Sequence, residues 1–514
     1  MKIFQHTTYL LKPLSIVNRH LSLVTFFLSL SIPSISLAAD KPDFTKTDQL
    51  TYRLYQEKKW DSLIIVGKQA LRQHFDYYYL RVRMGIAFYE RGQFITAINQ
   101  FSSALEFNKT DPVALEYLYF CYINSNRTAD AYSLVPSMSP EMKTHLKISP
   151  PVIEEVHVEG GANLTGAGGS NGKQTQAGLN AVYSEKDRYG NSYYGHADFT
   201  VNLWNKVSLN TAYNYLNFSK TKSFAWTTIE DRLVTKADCT WGYFNHYSFD
   251  TLRKDTSYKY RINQNEIFLE ARIILDGGFR IMPSIHILNV RYPNLQARYY
   301  AQTVTDTLWK NTINNTEYTF PFKRTIYSIT EIDTSFCNYV AGITFTRDFN
   351  LFTLGLFGSW SDLNGKNQAQ AGWSLTYFPL GNLNLYENTT ITGFFQGSDS
   401  RILLSQVLGG KITPWLWAEG TLLWGDYTNA NISNGAIVFN NSDKIRYRVG
   451  ANLIFILSGH IQLSLTYQYY RKEFQQLYYI MTTDTVSGNS VALPQTKLYP
   501  YSTNTIIGGI TWKF

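Results

Sequence analysis

The chain has 514 residues and a formal net charge of +8, with 47 lysines and arginines against 39 aspartates and glutamates. The positive charges are spread along the chain, so they do not indicate a nucleic-acid-binding surface. The three cysteines, Cys121, Cys239 and Cys337, lie far apart and form neither a metal-site spacing nor a disulfide framework. One disulfide between two of them stays open, and no cofactor is expected.

Aromatic residues are abundant, because the chain contains 38 Tyr, 31 Phe and 11 Trp, and apolar residues make up 44% of it. The mean hydropathy is nevertheless −0.22, so apolar and polar residues must be interleaved. Interleaving is typical of β-strands with one wet face, and the Tyr and Trp content suits the aromatic girdles of a membrane barrel. After the first residues, no run of about 18 apolar residues indicates a transmembrane helix.

The first 38 residues have the pattern of a secretory signal peptide. Lys2, Lys12 and Arg19 precede a short apolar run at 21–32, and residues 36–38 are small enough for cleavage after Ala38, or less favourably after Ala39. The apolar run is too short to span a bilayer comfortably. No cysteine lies near the cleavage site, which argues against a lipid anchor. The sequence therefore predicts export from the cytoplasm.

Residues 39–150 have helical periodicity and repeat with a period of about 34 residues, which is the period of tetratricopeptide (TPR) repeats. The middle unit is the clearest, with small residues at Gly85, Ala97 and Ala104 and aromatic residues at Phe88 and Phe101. Small residues let paired helices approach closely, while aromatic residues fill the space between them. About three units are predicted, and such a stack either docks a periplasmic protein or polymer or serves as a spacer.

Residues 151–514 alternate apolar and polar side chains with a period of 2, which predicts a transmembrane antiparallel β-barrel in a mainly β protein. The predicted strands lie near 175–185, 191–203, 206–218, 260–275, 278–290, 336–347, 350–361, 367–379, 382–396, 400–412, 415–427, 444–457, 460–473 and 503–514. This gives about 14 strands, with 12 or 16 also compatible, because 152–165 could be another strand and 219–259 could contain two. Short turns are assigned to the periplasmic side and the long connections 219–259, 291–335, 428–443 and 474–502 to the external side.

The last strand carries Phe514, Trp512, Ile510 and Ile506 on one face and small or polar residues on the other, with Ile507 as an exception. An apolar outer face is what a lipid-facing barrel strand requires. The alternative is an edge strand of a soluble β-domain. The segment also resembles the C-terminal signal of bacterial outer-membrane proteins, which implies outer-membrane lipid and the barrel assembly machinery as partners.

Charged residues at inward positions are the candidate functional residues, because the lumen of a barrel sets its selectivity. They are expected to line the lumen and are His196, Asp198, Glu270, Arg272, Arg280, His286, Glu419, Arg446 and Arg448. A mixed acidic and basic lumen either selects polar and charged solutes or forms salt bridges that block the bore.

Catalysis by the barrel is a third possibility. His196 and Asp198 are two residues apart on one strand face and could hydrogen-bond, but no serine is tied to them by a recognisable motif. The sequence contains no HExxH, Walker, Rossmann or calcium-loop pattern. We therefore predict no catalytic residue and no metal ligand.

The signal peptide, the TPR spacing and the final strand together resemble bacterial outer-membrane proteins of the YaiO-like kind, and more distantly the TPR-porin exporters of exopolysaccharides. The resemblance implies a barrel in the outer membrane with its helical domain in the periplasm. The expected function is a pore that passes or exports a solute or polysaccharide. The alternatives are a membrane-anchored scaffold or binding protein and an outer-membrane hydrolase.

Overall fold

A computed structural model describes residues 43–165, 181–238, 242–310, 317–440, 442–483 and 490–514. The predicted signal peptide, residues 1–38, lies outside the described residues. Within the described ranges, no helix is both long enough and apolar enough to cross a membrane. The helices end at His145 and the first strand begins at Ile153, so the two kinds of structure follow each other along the chain.

Six of the helices form three pairs that repeat along the chain. The seven helices are α1 (Phe44–Gln56), α2 (Trp60–Arg72), α3 (Tyr78–Glu90), α4 (Phe94–Phe107), α5 (Pro112–Asn124), α6 (Thr128–Ser133) and α7 (Pro140–His145). The first helices of the pairs start at residues 44, 78 and 112 and the second at 60, 94 and 128, so each repeat is 34 residues long. The predicted TPR-like helical region is therefore confirmed.

The helical region has its own apolar core, which contains Leu63, Met84, Phe101 and Leu118. Gly85 shows why small residues are needed between paired helices, because a Cβ atom there would lie 2.6 Å from the Phe101 ring. At that separation the helices would have to move apart. The close approach predicted from the sequence is thus what allows the three pairs to stack.

Fourteen strands form a closed antiparallel barrel. Its strands are β1 (Ile153–Thr165), β2 (Ala181–Trp204), β3 (Val207–Asp238), β4 (Gly242–Ile274), β5 (Phe279–Lys310), β6 (Glu317–Phe349), β7 (Phe352–Ser361), β8 (Gln368–Tyr377), β9 (Leu385–Gln396), β10 (Asp399–Thr413), β11 (Leu416–Trp424), β14 (Lys444–Ile456), β15 (Ile461–Thr483) and β16 (Ser490–Lys513). Two short strands, β12 (Ala430–Ile432) and β13 (Ile437–Phe439), pair only with each other. The barrel closes where β1 pairs with β16, from Glu155 opposite Lys513 to Thr165 opposite Thr503.

The predicted strand number is confirmed, but two predicted strands were wrong. Residues 191–203 and part of 175–185 belong to one continuous strand, β2, and the fourteenth strand is β1. The predicted gap between these strands is part of β2, whose register with β3 shifts at a β-bulge between Tyr189 and Ser192. The predicted long connections are also largely strand, because β3 to β6 each extend to 32 or 33 residues.

The outer surface of the barrel has an apolar belt between two aromatic rims. Phe514, Trp512, Ile510 and Ile506 are exposed on it, whereas Ile507 lines the interior. Exposed Trp415, just before β11, and Trp424, at its end, stand at the two rims. Nine residues at about 3.3 Å each and a tilt of about 40° separate them by roughly 23 Å, close to the apolar band of about 25 Å in outer-membrane barrels.

Six short connections lie at the end of the barrel where β1 begins and β16 ends, which we call the short-turn end. They are residues 205–206, 275–278, 350–351, 378–384, 414–415 and 457–460. Lys206 and Asp276 join two of these turns through a 2.7 Å contact. The strands β3 to β6, β15 and β16 extend well beyond the belt at the opposite end.

Candidate lumen site

The connection between β11 and β14 folds into the barrel, and we call residues 425–443 the inward loop; residue 441 lies outside the described residues. It contains the β12–β13 hairpin, in which Ala430 pairs with Phe439 and Ile432 with Ile437. Its tip turns through Ser433, Asn434 and Gly435, all with positive φ. The sequence predicted residues 428–443 as an external loop, and its inward course could not be derived from periodicity.

The tip of the inward loop is fixed to β4, β5 and β6 by hydrogen bonds. The Asn434 amide nitrogen donates to Glu270 Oε2 at 2.7 Å and to the Met282 carbonyl at 2.8 Å. Its amide oxygen accepts from Thr344 at 2.8 Å. A ring nitrogen of buried His286 contacts the Gly435 carbonyl at 2.8 Å. The amide of Asn434 is therefore used on both its donor and its acceptor side.

The rest of the inward loop lies along β7 to β11. Gln370 of β8 exchanges two hydrogen bonds with the backbone of Asn431, at 3.0 and 3.2 Å. The Tyr427 hydroxyl donates to the Leu404 carbonyl at 2.7 Å. An apolar cluster also packs the loop against these strands. It consists of Phe394, Leu403, Leu423, Tyr427, Ala430, Phe439 and Ile445. The loop thus occupies the side of the lumen bounded by β4 to β11.

The other side of the lumen holds a cavity of about 780 Å³, bounded by β1 to β6 and β14 to β16. Its lining is mixed: Leu216, Phe218 and Ile262 are apolar, while Lys220 and Arg448 are cationic. The volume falls within the range of about 300–1,000 Å³ found for small-molecule sites. Residues of the inward loop from 436 to 440 form one wall of this cavity.

Four ionisable side chains form a compact group on the wall of this lumen, which we call the His-carboxylate cluster: His157 and Glu159 on β1, and His196 and Asp198 on β2. In the antiparallel register His157 lies opposite Asp198 and Glu159 lies opposite His196. Residues two apart on a strand share a face, so all four point the same way. His196 Nε2 lies 2.7 Å from Asp198 Oδ2, and His157 Nε2 lies 3.4 Å from Glu159 Oε2.

Most of the candidate residues named from the sequence lie at inward positions, but not in one place. His196, Asp198 and Arg448 line the large cavity. Glu270 and His286 instead contact the tip of the inward loop, as described above. Glu419 of β11 accepts hydrogen bonds from Tyr386 and Asn452. The sequence alone does not single out His157 and Glu159, because a strand at 152–165 is only an alternative in the predicted topology.

Arg446 was expected in the lumen, but the structure places its side chain outside. The register between β14 and β15 shifts between Ile445 and Tyr447, so a β-bulge changes the alternation at this point. Ile445 takes the inward position and is buried, while the Arg446 side chain is 49% exposed and pairs with Glu473 at 3.0 Å. A one-residue bulge cannot be recognised from the sequence, because the apolar and polar residues on either side of it still alternate with a period of 2.

Arg272 and Arg280 lie at the short-turn end, where they line a second cavity of about 320 Å³ together with residues of α4 and α6. Arg280 contacts Asp348 of β6 at 2.5 Å and Asp130 of α6 at 3.3 Å. Arg127 contacts the same Asp348 at 2.6 Å and Asp130 at 3.1 Å. We call Arg127, Asp130, Arg280 and Asp348 the ion network. The ion network joins the helical region to the barrel, and the sequence did not predict it.

Asp130 is buried inside the ion network. Burial opposes ionisation of its carboxyl group, but the guanidinium groups of Arg127 and Arg280 outweigh this and hold the pKa of Asp130 below its ordinary value. The carboxylate is therefore charged at neutral pH, and each arginine has two anionic partners. Each buried charge needs a partner of opposite charge, because a buried charge without one destabilises the folded state.

Further hydrogen bonds attach the helical region to the short-turn end of the barrel. The Ile95 amide donates to the Gly381 carbonyl at 2.8 Å, and Asn382 donates to the Gly92 carbonyl at 2.9 Å. On the far side of the barrel, Lys513 of β16 donates to Asn126 at 2.8 Å. Four of the fourteen strands, β10, β11, β14 and β15, lie between the β8–β9 turn and β16. The helical region therefore covers the opening at this end.

The barrel is similar in fold to solved outer-membrane proteins. A FadL homologue of Pseudomonas aeruginosa has 8% identity and a TM-score of 0.35 over 70% of this chain and 90% of its own. Omp33 of Acinetobacter baumannii has 9% identity and a TM-score of 0.25 over 71% and 100%. The helical region is similar to the Type III secretion translocator chaperone SycD of Yersinia enterocolitica, with 18% identity and a TM-score of 0.18 over 21% and 86%. No protein-family model and no curated protein matches the chain.

Proposed function

We propose that the protein is a gated passage for small polar or charged solutes across the bacterial outer membrane. The single observation that carries this proposal is the division of the lumen. The inward loop occupies the side formed by β4 to β11, and a cavity of about 780 Å³ runs along the other side. A loop held against one wall narrows a bore without filling it, and pore lining and constriction set selectivity in such barrels.

The inward loop would act as the gate of this passage. Both of its ends are attached to adjacent strands, β11 and β14, while its tip is fixed to β4, β5 and β6 by the hydrogen bonds of Asn434 and by the contact between His286 and Gly435. A hairpin with fixed ends and a releasable tip can swing without breaking any barrel hydrogen bond. Release of the tip would widen the lumen on the side of the cavity.

We place the short-turn end in the periplasm, because outer-membrane barrels have short periplasmic turns and longer external loops. The helical region would then be a periplasmic cover over the passage, and a periplasmic helical domain is also what the resemblance to YaiO-like proteins implies. A periplasmic protein or polymer that docks on the helical repeats could lift this cover. Export of a polysaccharide is less favoured by the geometry, since the inward loop leaves a cavity of small-molecule size.

Conductance in planar lipid bilayers tests the proposal. We expect the native protein to conduct weakly, and a variant whose residues 428–440 are replaced by a short Gly-Ser turn to conduct at least several-fold more. A matched variant exchanges residues 457–460, the turn between β14 and β15 at the short-turn end, for a Gly-Ser segment of equal length, and should behave as the native protein does. If the loop-replaced barrel inserts but does not conduct even when Asp348→Ala has released the helical region, the passage is refuted and the barrel acts as an anchor for a binding protein.

A further inference from the structure

We propose that the His-carboxylate cluster binds a divalent transition-metal ion of the Zn²⁺ class on the lumen wall. His157, His196 and Asp198 would be three of its ligands, and their potential ligand atoms all lie within 4.8 Å of one another. Glu159 lies beside this group, with Oε2 3.4 Å from His157 Nε2, and would become the fourth ligand by rotation of its side chain. Metal bonds of about 2.0–2.1 Å in a tetrahedron place ligand atoms roughly 3.3 Å apart.

The ring nitrogens of both histidines are arranged as metal ligands require. His196 Nδ1 faces the Asn214 amide oxygen, and the orientation of that amide is fixed because its nitrogen donates to Glu266 at 2.8 Å. His196 Nδ1 therefore carries a proton, so Nε2, which lies 2.7 Å from Asp198 Oδ2, is the nitrogen that would lose its proton to bind a metal. His157 Nδ1 contacts Thr511 Oγ1 at 2.7 Å, so its Nε2 is also directed into the cluster. Metal-binding histidines usually donate their other N–H in this way.

In each of the two carboxylates, one oxygen accepts a hydrogen bond from outside the cluster and the other points towards a histidine of the cluster. Tyr194 donates to Glu159 Oε1 at 2.7 Å, and Asn210 donates to Asp198 Oδ1 at 3.3 Å. The second oxygen of each, Oε2 and Oδ2, is the one that approaches a histidine of the cluster. Each of the four side chains thus has an outer partner that orients it, and a remaining atom that points towards the others.

The charge of the cluster also suits a divalent cation. Two carboxylates with two neutral imidazoles carry a charge of −2, which one M²⁺ ion balances. The mixture of nitrogen and oxygen ligands favours Zn²⁺ and its neighbours over Mg²⁺ or Ca²⁺, which prefer oxygen alone. Glu159, His196 and Asp198 also line the large cavity, so an ion can reach them from the lumen. This inference rests on β1 and β2 and does not require that the barrel conducts.

The test uses the full chain without a polyhistidine tag, folded in detergent and titrated with ZnCl₂ in a calorimeter. We expect one Zn²⁺ per chain, and a loss of affinity of at least 100-fold in His157→Gln and in His196→Gln. The matched control is His460→Gln, which removes an exposed histidine in the turn between β14 and β15. It should bind as the native protein does. Zn²⁺ affinities within about twofold of native in both cluster variants would overturn the proposal.

A milder variant provides a second test in case the cluster variants do not fold. Thr511→Val keeps the shape of the side chain but removes the oxygen that orients His157. Loss of such an outer partner lowers metal affinity by roughly 10- to 100-fold. Barrel folding is checked by the mobility difference between heated and unheated samples in gel electrophoresis. A folded Thr511→Val protein with unchanged Zn²⁺ affinity would count against His157 as a ligand. Electron paramagnetic resonance of the Cu²⁺ form should show coupling to two imidazole nitrogens, and coupling to none would exclude the site.

Discussion

The two structures that restrict the barrel are held in different ways. The inward loop is held mainly by the hydrogen bonds of the Asn434 amide at its tip and by an apolar cluster at its base. Two of its contacts also involve charge, because Asn434 donates to the Glu270 carboxylate and Asp426 pairs with Arg401 and Lys444. The helical region is held over the short-turn end by the ion network, whose four members are charged. Hydrogen bonds between neutral groups depend little on pH or salt, whereas buried ion pairs fail as a unit when one charge is lost.

This difference suggests that the two restrictions can be released independently. No residue of the ion network belongs to the inward loop, and the contacts of the loop tip involve β4, β5 and β6 rather than the helices. A substitution in one region should therefore leave the other in place. If both regions respond together, the barrel wall between Arg280 and Met282 must couple them, and the passage has one gate instead of two.

The largest effect is expected from Asp348→Ala, which removes the carboxylate shared by Arg127 and Arg280. Two guanidinium groups then remain with Asp130 as their common partner in this network. Breaking a buried ion pair from one side costs about 3–5 kcal/mol. We expect the helical region to leave the short-turn end, while the inward loop keeps its position.

Thiol crosslinking measures this release, with the native cysteines replaced. Asn99→Cys and Asn350→Cys join α4 to the β6–β7 turn, where the native side chains are 3.3 Å apart. The matched control is Asp61→Ala, which breaks an exposed pair with Arg91 inside the helical region and should change stability by about 0–1 kcal/mol. Equal crosslinking yields in the Asp348 variant and the control would show that the ion network does not hold the helical region.

A smaller effect is expected from Asn434→Ala at the tip of the inward loop. The substitution removes both donor bonds and the acceptor bond of the amide, and leaves Glu270 and Thr344 without this partner. Unmade hydrogen bonds of this kind cost roughly 1–3 kcal/mol. Val438→Cys, in a position that packs near Leu288, reports the change.

A water-soluble maleimide should modify that cysteine several-fold faster in the Asn434→Ala background than in the native one. The crosslinking yield between α4 and the β6–β7 turn should stay at the native level, which makes the Asp348 variant and the Asn434 variant controls for each other. An unchanged rate of modification would mean that the base of the loop, not its tip, determines its position.

Acid pH should release the helical region through the ion network. The folded pKa of Asp130 lies below its unfolded value, which is about 3.9 for a free aspartate. The stabilisation is therefore complete above that value and is lost as the pH falls through the lower folded pKa. Crosslinking of the helical region should stay constant between pH 7 and about pH 5 and decline only in more acidic buffer. In Asp130→Asn the yield should be low already at neutral pH, and a native protein that releases near pH 6 would contradict this assignment.

The sequence predicts the regular parts of this molecule and misses its irregular parts, for physical reasons. A repeat of 34 residues and a period of 2 extend over many residues, so the helix pairs and the strand number could be derived. The bulges near Gly190 and Ile445 each shift the alternation by one residue, and a shift of this size has no periodic signal. Arg446 was misplaced for that reason.

The site residues were harder to predict than the fold, because the site depends on strand register. His157 and His196 become neighbours only when β1 pairs with β2 in one particular alignment. The HxE and HxD spacings at 157–159 and 196–198 were visible in the sequence as the same pattern on two strands. Asp130 and Asp348 are 218 positions apart, and nothing local to either indicates that they share two arginines.

The smallest effect is expected from Lys513→Met, on the side of the opening opposite the ion network. Lys513 donates to Asn126 at 2.8 Å and lies 3.6 Å from Glu155, in a partly exposed position. Exposed contacts of this kind contribute about 1 kcal/mol or less. The crosslinking yield between α4 and the β6–β7 turn should therefore stay near native. A large loss would mean that the helical region is held evenly around its rim, and that the ion network is one attachment among several of similar strength. A small loss would support a cover that is fixed along β5 and β6 and can open from the side of β16.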